Sequence, residues 1–322
     1  MATRIQAWVS LPWAGPAAYY GADPEATVRR LEALGVSGVI QGDHFFVPGP
    51  PRDDPLARMA ADCMTVLTTV AAHSQRLGIA PLVANVGLRD PVPLLHAFAN
   101  LALLYGGGRV YAGLGAGWSR PEFEALGRSM PAHRERIARL EETVLLARTL
   151  FDRGLATQAG THVRAAALPF APAPASPPRL LLGGGSRTVL ELAARHADHV
   201  DLAPPAHRRG DNEFQRPLLT TIDDLVESAR VARSGGRPLT TSVLLSGVVF
   251  CDAASIRTEE EALCARVGLP WRALTDCPYV LVGEPDRIAD QVRERQERIG
   301  LDWLVVADAA IERFSTDVLS RL

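Results

Sequence analysis

An α/β fold of the (β/α)8 TIM-barrel class is what the sequence predicts, on three observations. Short β-rich apolar runs alternate with longer helical patterns along the chain, about eight strands can be counted, and 322 residues suit one barrel with insertions in its βα loops. The position of the glycines agrees. A doubly wound dinucleotide fold, the runner-up, would carry G-x-G-x-x-G after its first strand, whereas here the glycine clusters follow the fourth and fifth strands. A single domain over residues 1–322 follows, with an insertion at about 252–277.

The first strand is expected near Ile5 to Val9. A helix then runs from Pro24 to Leu34, with Asp23 as its N-cap and Gly35 closing it. Val36 to Gln41 is the second strand, followed after a Gly-, Pro- and Asp-rich loop by a helix from about Leu56 to Leu77. The third strand spans Ile79 to Val83, a helix Val92 to Leu104, and the fourth strand Val110 to Leu114. An amphipathic helix occupies roughly Ala132 to Phe151, with Ile137, Leu140, Val144 and Leu150 on or near one face. Ala165 to Pro178 is too proline-rich for a central strand or helix and reads as a surface connection. The remaining units are strand Arg179–Leu182 with helix Thr188–Arg195, strand His199–Leu202 with helix Leu218–Ala232, strand Thr241–Phe250, helix Asp286–Ile299, strand Trp303–Val306 and a helix from Ala310.

Composition narrows the chemistry. The chain is 47% hydrophobic and 22% charged, a balance that supports a large core, and all 34 basic residues are Arg. Without Lys there is no Schiff base and no P-loop lysine, so aldolase, pyridoxal phosphate and NTPase mechanisms are excluded. A net charge of −2 gives no electrostatic footprint for nucleic acid or an anionic membrane, which leaves a small-molecule partner. Cys63, Cys251, Cys264 and Cys277 form no C-x-x-C pair and read as buried thiols. The N-terminal stretch has no signal-peptide pattern and no run of 18 apolar residues occurs, so a cytoplasmic location is expected.

In such a barrel, chemistry belongs to the loops at the C-terminal strand ends. After the second strand, Asp43-His44-Phe45-Phe46 puts an imidazole beside a carboxylate and two aromatics, suited to proton transfer and to stacking a flat ligand; a packed turn would use the same residues. At the third strand end, Ala80-Pro81 suggests a bulge, a cis bond or simply a strand's first residue. Gly113-Leu114-Gly115-Ala116-Gly117-Trp118 lets backbone approach a planar ligand, or else serves tight barrel packing. Gly183-Gly184-Gly185-Ser186-Arg187-Thr188 before a helix is a nest for an anion such as phosphate. His207, Arg208 and Arg209 follow the sixth strand and could hold a phosphate or carboxylate. His196 and His199 have no carboxylate or Cys cluster to complete a metal site, and none is expected.

Taken together the chain resembles the bacterial luciferase-like superfamily, and within it the branch that uses the deazaflavin coenzyme F420. The resemblance is carried by Gly42-Asp43-His44-Phe45, by Gly113 to Trp118 with Phe123, Leu126 and Gly127, and by Arg139-Leu140-Glu141-Glu142. It extends through Pro178 to Ser186, Ala197-Asp198 and Val282-Gly283-Glu284-Pro285. The resemblance implies a flavin or deazaflavin ring at the barrel mouth, with Asp43 and His44 beside it. Gly115, Ala116, Gly117 and Trp118 would lie along the ring, and Gly183 to Ser186 at the cofactor phosphate. Ala80-Pro81 falls where relatives have an unusual cis peptide, so a cis Ala80–Pro81 bond is expected. Trp118 stands where some F420-dependent relatives have a catalytic Glu, which leaves His44 as the main proton donor.

The implied activity is an F420-dependent oxidoreductase that transfers hydride between reduced deazaflavin and a C=C or C=N bond, with Asp43 orienting His44 or bonding the ring. Loops Phe45 to Pro55 and 204–216 would exclude water, and the 252–277 insertion would shape the substrate pocket. An FMN-dependent monooxygenase is the alternative within enzymes, and a non-catalytic flavin-binding barrel the alternative outside them. Relatives also imply a homodimer. Because Lys is absent, the cations for the cofactor's anionic tail narrow to Arg187, His207, Arg208 and Arg209.

Overall fold

Parallel strands carry the chain around a closed ring in the computed structural model, which describes residues 5–11, 23–46, 59–169, 176–208, 210, 212 and 214–322. The strands are β1 (Gln6–Ser10), β2 (Gly38–Gln41), β3 (Gly78–Pro81), β4 (Ala84–Asn85), β5 (Tyr111–Gly115), β6 (Leu155–Ala159), β7 (Arg164–Pro169), β8 (Arg179–Gly184), β9 (His199–Leu202), β10 (Thr240–Leu244), β11 (Gly247–Phe250), β12 (Val280–Gly283) and β13 (Trp303–Ala307). The main sheet has nine strands in the order β3-β2-β1-β13-β10-β9-β8-β5-β4. A parallel bridge between Ile79 and Val110 joins β3 to β5 and brings the two ends together. That closure distinguishes the barrel from an open doubly wound sheet.

The sequence dictates this locally through apolar strands and capped helices. Asp23 accepts from the Ala26 N–H at 3.1 Å and Pro24 opens the helix Pro24–Ala33, satisfying N-terminal donors that have no partner inside the helix. Strand residues face two cores. Leu180, Leu182, Val200 and Val306 pack outward against helices, while Trp8, Ile40, Ala80, Tyr111, Leu181, Trp303 and Val305 fill the barrel interior. Trp8 stacks on Trp303 with centroids 4.1 Å apart, and Trp303 stacks on His199 at 3.6 Å. A Cβ on Gly38 or Gly78 would stand 2.4 Å from the Trp8 ring, so these strands need glycine where the indole crosses them.

Several boundaries differ from expectation for local reasons. The long strand expected over Thr241–Phe250 is split, because Leu245 N bonds Val305 O at 2.9 Å but Ser246 N bonds Tyr279 O at 2.7 Å, and β11 pairs with β12 outside the barrel. The helix expected from Leu56 starts at Cys63, where Asp62 caps it by accepting from Thr65 N at 2.8 Å; residues 47–58 lie outside the described set. The helix expected over Leu218–Ala232 is two, Gln215–Leu219 and Ile222–Ala232, divided where Thr221 and Asp224 cap each other's backbone. Residues 165–169 of the surface connection form β7, the second strand of a hairpin with β6. Of the four thiols, Cys251 is half-buried rather than buried.

The expected cis Ala80–Pro81 bond is a correction: the cis peptide lies at Leu82–Val83. Pro81 ends β3 in parallel register with Gln41, and Gly78 N and Leu82 N donate to Ser37 O and Gln41 O of β2. Alternate residues turn toward β5, where the only described pairing of β3 is the Ile79–Val110 bridge, so the proline's missing donor falls where the ladder has no use for it.

Beyond β3, the Val83 side chain turns into the barrel and decides where glycine is needed. A Cβ on Gly115 would lie 2.2 Å from Val83 Cγ2, one on Gly183 2.9 Å from Val83 Cγ1, and one on Gly113 1.9 Å from the Pro81 carbonyl. Packing against this segment therefore accounts for the glycines of β5. Gly115→Ala is expected to cost about 1–3 kcal/mol by overpacking. In urea unfolding, combining it with Val83→Ala should recover at least about 1 kcal/mol relative to the sum of the single changes. Strict additivity would show that Val83 is not the obstacle.

Candidate active site

The loop after β2 is fixed at successive residues by groups distant in sequence. Arg89 forks onto Asp43, Nε to Oδ2 at 2.8 Å and Nη2 to Oδ1 at 2.7 Å, and the Asn85 N–H donates to Oδ2 at 2.9 Å. The same Arg89 Nη2 reaches Asp62 Oδ2 at 2.5 Å. The paired carboxylates, the Asp43 hydrogen bond above all, raise the guanidinium's affinity for its proton despite burial. Asp43 is thus a carboxylate held by protein.

His44 is held by a carboxylate outside the predicted set. Glu122, fully buried at the short helix Arg120–Ala125, accepts from Phe45 N at 2.7 Å through Oε1 and meets His44 Nδ1 at 2.9 Å through Oε2. With both Glu122 oxygens used, Nδ1 faces the carboxylate in position to donate to it. Trp118 stands edge-on to the imidazole, with centroids 5.5 Å apart. The Ser119 hydroxyl beside it is buried without a partner among the described residues.

Glu122 and Arg89 escaped the sequence reading because each resembles a surface charge on a helix or turn. The nearest signal in the sequence was the neighbouring Phe123; the structure buries both residues of this short helix. Further motif residues brace the mouth. Arg139 Nε donates to Val86 O at 2.6 Å, and Arg136 to the Gly117 carbonyl. Glu142 accepts from Thr161, His162 and Val163 N–H groups; burial raises its pKa, but those bonds outweigh it and hold the carboxyl below the usual range. Asp198 joins Arg148 at 2.6 Å to the Leu180 N–H at 2.7 Å.

The predicted anion residues are arranged less simply. Ser186 caps the helix Arg187–His196 by accepting from Val189 N at 3.4 Å, and Gly185 lies against the Pro204 carbonyl, where a Cβ would come within 2.2 Å. Thr188 is exposed, and Arg187 is exposed and bonded to Glu191 at 2.7 Å. Arg208 forks onto Asp224 at 2.7 and 3.1 Å, and His207 meets the same carboxylate at 3.1 Å. Burial would raise the Asp224 carboxyl, but Arg208, Thr221 and His207 hold it at about 2. Arg209 lies outside the described residues.

A cavity of about 680 Å³ opens at the C-terminal ends of β1, β9, β10 and β13. Trp118 lines it, which links it to His44; Ala203, Pro204 and Arg216 line the side nearest the β8 turn. Asp201 stands in its wall, 6% exposed, accepting from Ser242 Oγ at 2.7 Å; Ser242 in turn meets His199 Nε2 at 2.9 Å, and His199 Nδ1 meets Thr240 at 2.7 Å. Burial pushes the Asp201 carboxyl up to about 7 against the pull of Ser242, and burial with Arg179 nearby keeps His199 neutral. Among the described residues no group of three or more His, Cys, Asp or Glu could hold a metal, and no helix is long and apolar enough to cross a membrane.

With a His–carboxylate pair beside a wide cavity at the ligand end of a parallel barrel, the chain belongs to the luciferase-like monooxygenase family, whose model matches residues 15–276. It is similar to the F420-dependent glucose-6-phosphate dehydrogenase of Amycolatopsis mediterranei (strain U-32), 24% identical over 91% of this chain and 92% of that one. A shorter match, 33% identical over 28% of this chain and 25% of the relative, is to the FMNH(2)-dependent dimethylsulfone monooxygenase of Pseudomonas fluorescens (strain Pf0-1). Among solved structures, the coenzyme F420-dependent tetrahydromethanopterin reductase of Methanopyrus kandleri superposes with a TM-score of 0.72 at 16% identity, covering 99% of each chain. An F420-dependent secondary alcohol dehydrogenase in complex with an F420-acetone adduct gives 0.70 at 16% identity and 98% of each chain. At such identity these two likenesses speak for the fold.

The Asp201 environment sets a pH dependence. Between about pH 4 and 7 the unfolded chain releases this proton while the folded chain keeps it, so the residue's contribution to stability falls as pH rises through that window and is constant above it. In denaturant titrations at pH 4 and pH 8, Asp201→Asn should gain on the parent protein by on the order of a few kcal/mol between the two. An equal difference at both pH values would contradict the buried neutral acid.

Proposed function

We propose that the chain is an F420-dependent oxidoreductase that reduces a C=C or C=N bond of a small organic substrate. The observation that carries the reading is the grip of buried Glu122 on His44 and Phe45 beside Trp118. The residues present suit such a cofactor: Val83 presents an apolar surface between Gly115 and Gly183, Ser119 holds an unpartnered hydroxyl at the mouth, and the Gly183–Ser186 turn opens a helix whose N-terminus favours an anion. When bound, reduced deazaflavin supplies the hydride.

The protein's part is positioning and proton transfer. The substrate takes the hydride at one atom and a proton from His44 Nε2 at the other, and His44 regains its proton from solvent. Glu122 keeps Nδ1 protonated throughout, so only Nε2 exchanges and the imidazolium has a fixed counter-charge. Asp43, already held by Arg89, positions the loop and offers its remaining acceptor capacity to the ring. Exposed Leu103 and Leu104 on the helix Pro91–Tyr105 support a homodimer through that face.

Two relatives whose names specify F420 match 91% of this chain, whereas the FMNH(2)-dependent relative matches 28% of it, which favours F420 over FMN. Titrating the purified protein with each cofactor, followed by absorbance and fluorescence, should give F420 binding at least about tenfold tighter than FMN. Tight FMN binding without F420 binding would overturn the reading in favour of a flavin monooxygenase.

A further inference from the structure

Arg187, His207 and Arg208, the described cations of the set predicted for an anion, are paired with carboxylates, and two arginines outside that set are not, among the described residues. Arg216 and Arg266 both line the 680 Å³ cavity. Among the described residues Arg216 makes one hydrogen bond, Nη2 to the Pro204 carbonyl at 2.7 Å, and its Nε is buried without a partner. Arg266, at the end of the helix Ile256–Arg266, makes no ion pair or hydrogen bond among the described residues. Two carboxylates share the wall: Asp308 is paired with Arg30 at 2.6 Å, and Asp201 is buried as a neutral acid below about pH 7. Among the described residues the cavity therefore carries uncompensated positive charge in a largely apolar surface that includes Leu11, Leu218, Leu244, Leu245, Leu263 and Val280.

We propose that this cavity binds a small molecule with an apolar body and a carboxylate, the carboxylate on Arg216 and Arg266 and the body against the leucines. A guanidinium whose buried Nε lacks an acceptor gains most from a planar anion that can take two N–H bonds together. The leucine walls suit a hydrocarbon or aromatic body, since they would leave a polyol's hydroxyls without partners. Asp201 Oδ2 makes no hydrogen bond among the described residues, and in the neutral acid it donates to a further oxygen of the ligand. The inference deepens the oxidoreductase reading by naming its substrate class, but its test is binding without cofactor, so either can fail alone.

The Pro204 carbonyl touches both Gly185 and Arg216, so a carboxylate here belongs either to the substrate or to the cofactor's tail. The probes are 1-naphthoate and its neutral isostere 1-naphthamide, followed by tryptophan fluorescence at low salt. Naphthoate should bind at least about tenfold tighter, and Arg216→Gln should erase most of that preference while leaving naphthamide unchanged. Arg266→Gln, at an exposed position, should lower the preference about threefold. Equal binding of the two probes overturns the proposal, as does a preference unchanged in R266Q, whether or not R216Q folds. To separate the sources, R216Q is titrated with F420 and with the deazaflavin lacking its phosphate and carboxylate tail. Unchanged F420 affinity assigns the carboxylate to the substrate; loss for F420 alone assigns it to the tail.

Discussion

A single buried carboxylate, Glu122, connects the two halves of the barrel mouth. It leaves the helix after β5 and binds, with separate oxygens, the backbone of Phe45 and the ring of His44 at the end of β2. A buried carboxylate is costly unless its acceptor sites are filled, and here the donors that fill them come from the loop that carries the chemistry. The loop's position and the burial of Glu122 therefore depend on each other. Asp43, one residue earlier, repeats the arrangement with Arg89 and the Asn85 N–H, so the loop is pinned to the β4 and β5 ends at consecutive residues.

The opposite side of the mouth follows another rule. The aromatic stack Trp8–Trp303–His199 fills the barrel, and above it a chain of hydrogen bonds runs from Thr240 through His199 and Ser242 to Asp201 at the cavity wall. Both titratable members are neutral near pH 6, so this side is built from uncharged donors and acceptors. The charge there is supplied by arginine. In a chain without lysine, most arginines of the mouth are committed to carboxylates or carbonyls, which makes an uncommitted guanidinium informative.

Much of the fold was legible because its signals are local. Asp23-Pro24 starts a helix by capping chemistry, and the apolar runs at His199–Leu202 and Trp303–Val306 are strands because both faces are buried. The break in Thr241–Phe250 was not legible, since a β-branched run reads alike whether it stays in the barrel or leaves it at Ser246. At the site, His44 and Asp43 stood out by residue type and strand-end position. Their partners Glu122 and Arg89 lie 78 and 46 residues away, and periodicity carries no trace of such pairings. The cis bond went to the wrong peptide because proline marks where cis is cheap, whereas β3 stays extended through Pro81.

The central claim is that Glu122 fixes the tautomer of His44. Glu122→Gln tests it with one atom changed, because glutamine has one oxygen and the Phe45 N–H claims it, leaving an NH₂ group facing Nδ1. Nitrogen-15 NMR of ring-labelled histidine at a pH where the ring is neutral should show Nδ1–H in the parent protein and Nε2–H in E122Q. The same tautomer in both proteins would contradict the account.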